Sequence, residues 1–118
     1  MTTGPATLLP VTCAICRRRA HGLGYWTGTG RPWLWLCDDA DCLALGKTVF
    51  HMPQKQFDAY EINARNAGGD AGGQYLDEIG ETDLARLLPE NWFEFLNRVI
   101  LGYGEEMKRQ LQEHQAPF

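Results

Sequence analysis

Two short stretches of alternating apolar residues flank a glycine-rich turn near the amino terminus, and from residue 42 onward apolar positions recur every three or four residues. The first pattern has the period of strands and the second that of helices. One strand arm carries Leu23, Tyr25 and Trp26, and the other carries Trp33, Leu34, Trp35 and Leu36. In the second arm Trp33, Trp35 and Cys37 share one face, and Leu34 and Leu36 share the other. Between the arms, Thr27-Gly-Thr-Gly-Arg31 supplies the positive-φ positions of a hairpin connection. Pro32 suits the first position of a strand, where a missing ladder donor is tolerated.

After Cys37, the segment Asp38-Asp-Ala-Asp-Cys42 reads as the opening of a helix, because aspartates favour its positive end. Cys42, Leu45, Val49 and Met52 form one stripe along it. Pro53 ends this helix and starts the next, which is expected to run to about Asn66. Four of the six residues from Gly68 to Gly73 are glycine, so residues 67–73 are expected to form a flexible loop. A short helical segment through Tyr75, Leu76 and Ile79 should stop near Gly80. Thr82 or Asp83 then caps a turn carrying Leu84, Leu87 and Leu88. Pro89 starts the longest helical pattern, with Trp92, Leu96, Val99, Ile100, Tyr103, Met107 and Leu111 in phase and Lys108 and Arg109 near its negative end. Gly102 and Gly104 interrupt it and mark a bend or a close helix crossing. The predicted class is α+β: a loose leader over 1–12, a zinc-binding module with following helices over 13–66, the loop, and a helical segment over 74–118. The last is expected to pack with the module as one unit.

The four cysteines turn this outline into chemistry. They fall in two pairs, Cys13-Ala-Ile-Cys16 and Cys37 with Cys42, separated by twenty residues. A thiolate pair two residues apart closes on one metal through a tight knuckle, and a second pair completes a tetrahedron around one structural Zn2+. Two disulfides are the alternative, and they require an oxidising compartment. Residues 1–10 show neither the basic start nor the apolar run of a signal peptide or membrane span, so the expectation is reduced thiols in the cytoplasm. Iron–sulfur motifs have other spacings.

Charge adds a second candidate surface. Residues 1–57 hold six Lys or Arg against three acids, and residues 58–118 hold five against twelve. The basic group comprises Arg17, Arg18, Arg19, Arg31, Lys47 and Lys55, and Tyr25, Trp33 or Trp35 could stack on bases. A zinc ion in four thiolates carries about −2, which reduces the footprint. In the acidic half Trp92, Phe93, Phe95, Leu101 and Tyr103 are more apolar positions than one helix stripe needs, and they are candidates for contact with another protein or a dimer mate. Four sulfurs close the coordination sphere against catalysis. No zinc-protease, deaminase or phosphate-loop signature occurs, so no catalytic residue is assigned.

The order of knuckle, hairpin and helix bearing the second ligand pair resembles the treble-clef zinc fingers over residues 13–52. The phrases Tyr75-Leu-Asp-Glu-Ile-Gly-Glu-Thr-Asp-Leu84, Pro89-Glu-Asn-Trp-Phe and Gly102-Tyr-Gly-Glu-Glu are similar to small uncharacterised bacteriophage and prophage proteins. The treble clef implies nucleic-acid or protein binding, or in one branch a nuclease whose histidine motif is not met by His21 and His51. The second resemblance implies a viral setting and no activity. The expected function is a zinc-binding, non-enzymatic module that binds a host or phage protein, as an inhibitor or adaptor; the alternative is a nucleic-acid-binding finger.

Overall fold

The computed structural model describes residues 12–21, 23–25 and 34–115. The expected leader, apart from Thr12, lies outside these residues, as do Trp26, Arg31, Trp33 and the hairpin connection. Strand β1 (Leu23–Tyr25) pairs antiparallel with β2 (Leu34–Leu36), in the register Leu23 to Leu36, Gly24 to Trp35 and Tyr25 to Leu34. Helix α1 (Ala40–His51) follows at once. The Asp39 carboxylate accepts from the Asp41 backbone N–H at 2.8 Å and so satisfies one of the open donors at the helix start, a cap worth about 1 kcal/mol. Cys42, Leu45 and Val49 are buried along one side, with Met52 packed against them, as the stripe predicts.

Pro53 separates α1 from α2 (Gln54–Ile79), which ends at the left-handed Gly80 (φ 73°). Asp83 caps a single 3-10 turn (Leu84–Arg86), and α3 (Pro89–Gln115) completes the chain's described part. The described residues are therefore mostly helical, with a helical carboxyl-terminal half, and among them the sheet comprises two three-residue strands. Among the described residues no helix is long and apolar enough to cross a membrane.

Residues 67–73 are not a loop. They form the middle of α2, and the helix expected to end near Asn66 continues to Ile79. The cause is the partner helix. α2 and α3 run antiparallel, and a Cβ at Gly68 would stand 2.6 Å from the Val99 carbonyl oxygen; one at Gly72 would stand 2.6 Å from Val99 Cγ2. Gly68 and Gly72 are small because α3 passes against them, its backbone at Gly68 and the Val99 and Phe95 side chains at Gly72. Their helical cost relative to alanine, about 1 kcal/mol each, is offset by packing that a larger residue would prevent. From the opposite side, a Cβ at Gly102 would stand 2.9 Å from Ala71 Cβ, so this interruption in α3 marks the close crossing. Hydrogen bonds fix the register along the pair: Tyr75 Oη donates to Asn91 Oδ1 (3.1 Å), Asn63 Nδ2 to Gln110 Oε1 (2.8 Å), and Gln110 Nε2 to the Tyr60 carbonyl (2.9 Å).

The amino-terminal elements sit on the far end of this hairpin. One apolar cluster joins Cys13, Ile15, Leu36, Leu45 and Val49 to Ala64 of α2 and to Met107 and Leu111 of α3. The four cysteines and the core are contiguous.

Candidate metal centre

The first ligand pair stands on a tight turn. Arg17 N–H donates to the Cys13 carbonyl (3.1 Å) and Cys13 N–H to the Arg18 carbonyl (2.7 Å). Arg17 takes the left-handed conformation (φ 66°), which reverses the chain. The Ile15 N–H points at Cys13 Sγ (3.5 Å), and such donors stabilise a thiolate. Two backbone bonds hold this turn to β2, from Ala14 N–H to the Trp35 carbonyl (2.9 Å) and from His21 N–H to the Leu36 carbonyl (3.1 Å). Cys37 leaves the end of β2, and Cys42 lies in the first turn of α1.

These four sulfurs converge. All lie within 4.8 Å of one another, all four residues are buried, and none is in a disulfide. Cys16 Sγ and Cys37 Sγ are 3.7 Å apart, close to the edge of about 3.8 Å that a tetrahedral ion with thiolates at about 2.3 Å requires. The cluster can hold a metal ion. Without one, its protons divide unequally: the hydrogen bond from Cys42 draws Cys13 down to about 4, while burial pushes Cys16 up to about 11. Cys42 is pushed up by the same bond to Cys13, then by burial. Four buried thiolates do not coexist unaided, and a bound cation would supply the missing compensation.

The surroundings belong to α3. A Cβ at Gly104 would stand 3.1 Å from Cys16 Cβ, so the helix approaches the knuckle closely there. Lys108 reaches Asp39, the cap of α1, at 3.3 Å. Between these elements a cleft of about 290 Å³ is lined by Arg18, Arg19, His21, Ile100, Leu101 and Lys108, among others.

The residues expected to bind nucleic acid separate into different roles. Arg17 is committed within the fold: its guanidinium pairs with Glu61 of α2 and donates to Tyr103 Oη at 3.4 Å. Charge patterning does not reveal this, because Glu61 is 44 residues away in sequence. Arg18, Arg19, Lys47 and Lys55 are exposed, and Arg31 lies outside the described residues.

The expected protein-contact residues also divide. Trp92, Phe93 and Leu101 are exposed on α3. Phe95 instead packs at Gly72, and Tyr103 packs against the core with its hydroxyl beside Arg17, so these two serve the interior. Leu96 and Ile100 take their place on the open face. Their four-residue spacing from Trp92 was the available signal; the choice of buried stripe depended on where α2 lies.

No curated protein and no solved structure matches the chain. A family model described as a family of unknown function, DUF6511, matches residues 55–118. That span takes in nearly all of α2 and the whole described length of α3, and none of the cysteines. By its helical hairpin, the chain belongs to this family of unknown function, DUF6511.

Proposed function

We propose that the protein is a non-enzymatic interaction module in which one structural zinc ion, held by Cys13, Cys16, Cys37 and Cys42, staples a treble-clef-like unit onto a helical hairpin that binds another protein. Zinc is favoured by the four-sulfur donor set and its knuckle spacing. The order of knuckle, strand pair and ligand-bearing helix supports the treble-clef likeness. With every ligand position taken by sulfur, the ion has no site for a reacting water.

The observation that carries the binding role lies on one face of α3. Its late half, with Gly104, Met107 and Leu111, is buried under the metal-bearing unit. Its early half, with Phe93, Leu96, Ile100 and Leu101, continues the same stripe in the open, and Phe93 is 69% exposed. An apolar run of this length on a helix marks a contact surface. In the bacteriophage setting suggested by the sequence resemblance, the partner would be a cytoplasmic host or phage protein.

Phe93→Glu and Ile100→Glu test this reading by affinity capture and titration of the captured partner. Each should weaken binding by about 2 kcal/mol or more, roughly thirtyfold, as charges in the centre of an interface do, with metal content and helicity unchanged. Undiminished binding by both variants would sink it. The exposed pair Arg18 and Arg19 favours a second reading, nucleic-acid binding. Under that reading Arg18→Glu with Arg19→Glu should abolish a salt-sensitive complex with DNA or RNA, and the α3 variants should leave it intact.

A further inference from the structure

We propose that the cysteine cluster is a peroxide-sensitive switch: hydrogen peroxide entering the cleft joins Cys16 to Cys37 in a disulfide, the metal ion leaves, and the buried end of the α3 stripe is uncovered. This rests on the zinc-staple reading and adds regulation to it.

Access divides the four sulfurs into two kinds. Cys13 and Cys42 are fully buried, whereas Cys16 and Cys37 keep 4% and 5% of their surface. These two also form part of the wall of the cleft, beside the exposed Arg18, Arg19 and Leu101. A small oxidant in the cleft therefore meets Cys16 and Cys37 before the other pair. Their sulfurs stand 3.7 Å apart, and a disulfide needs about 2.05 Å, a closing motion within the reach of side-chain rotation. One lies on the knuckle and the other at the end of β2, two elements already tied by the bond from Ala14 N–H to the Trp35 carbonyl.

The chemistry balances with peroxide alone. The thiolate of one cysteine attacks a peroxide oxygen, the O–O bond breaks, and a sulfenic acid and hydroxide form. The second thiolate attacks the sulfenic sulfur, the S–S bond forms, and a second hydroxide leaves. Two thiolates have given up two electrons, peroxide has taken them, and two protons from solvent convert the hydroxides to water. Cys13 and Cys42 then offer two thiolates where a structural zinc site uses four.

The new bond does not replace the staple. It joins the knuckle to β2 and leaves out α1, whose own ligand is Cys42. Without the ion, α1 is a helix of twelve residues, too short to be stable by itself. Met107 and Leu111 of α3 are fully buried against this unit, and its release lengthens the open stripe of Phe93, Leu96 and Ile100. A dithiol reductant with zinc reverses each step.

The test is a hydrogen peroxide titration of the full chain, reduced and zinc-loaded, with released zinc read by a colorimetric indicator. Samples are quenched in acid, free thiols are alkylated, and disulfides are mapped by mass spectrometry. Expected are about one zinc ion released per peroxide consumed, a first disulfide between Cys16 and Cys37, and alkylated Cys13 and Cys42. Hydrogen-exchange protection over 34–51 should fall in step with zinc release and return with dithiol and zinc. A first disulfide that contains Cys13 or Cys42, thiol oxidation with the zinc retained, or zinc release with protection over 34–51 intact would each overturn the switch and leave the staple's metal and ligands standing. A folded chain that holds no zinc before peroxide is added overturns both.

Discussion

Replacing Cys42 with serine is expected to abolish metal binding and unfold the amino-terminal unit, residues 12–52, while the tip of the α2–α3 hairpin stays helical. Cys42 is fully buried and begins the stripe that places Leu45 and Val49 in the core. The elements it ties together are two strands of three residues and one helix of twelve, and neither a short hairpin nor an isolated helix of that length is stable in water. A structural zinc site contributes about 10–16 kcal/mol in zinc-finger peptides, more than the whole stability of a typical domain. Loss of one ligand therefore removes what chiefly holds this unit folded. Hydrogen–deuterium exchange measures the outcome residue by residue. Protection should vanish over 12–21 and 34–51, decline around Met107 and Leu111 as their cover is lost, and persist where α2 crosses α3 near Gly72 and Phe95. Retained protection over 34–51 in the metal-free variant would show that packing alone holds the unit.

Alanine at Gly68 and at the adjacent Gly69 should shift stability in opposite directions. The new methyl at residue 68 would meet the Val99 carbonyl oxygen at 2.6 Å, a backbone atom that moves only if the helices part. Overpacking of this kind costs about 1–3 kcal/mol and outweighs the propensity gain of about 1 kcal/mol from removing a helical glycine. At residue 69 nothing lies within 4 Å, so the propensity gain stands by itself. Gly73→Ala belongs with Gly69→Ala, since its surroundings are equally open. Urea denaturation of the zinc-loaded proteins reads the sign directly. Equal effects at 68 and 69 would mean that α2 and α3 are not in close contact there.

The contrast at these glycines explains where sequence reasoning suffices and where it fails. The cysteine pairs are legible because ligand chemistry fixes their spacing locally, and α1 is legible because its acidic cap, its stripe and its terminating proline act over a few residues. The start of α3 at Pro89 is visible for the same reason. The continuation of α2 through residues 67–73 is not, since glycine carries the same local preference in a loop as at a helix crossing. Only the position of Val99, some thirty residues onward, distinguishes them. Arg17 belongs to a basic cluster in sequence, yet in space its partners are Glu61 and Tyr103 on two other helices. Phe95 and Tyr103 turn inward, against expectation, because an amphipathic pattern identifies a stripe but not which neighbour covers it. The open stripe of Phe93, Leu96 and Ile100 becomes readable once α2 and the cysteine-bearing unit have claimed the other positions.

Native mass spectrometry of the chain purified under reducing conditions tests the four-sulfur staple most directly, because it weighs the ion and the thiol protons together. One zinc ion per chain is the predicted result, with a mass deficit for the displaced thiol protons and with all four cysteines protected from alkylation until the metal is chelated. A folded chain that carries no metal and whose four thiols react freely, or one whose cysteines are paired as disulfides, would contradict it.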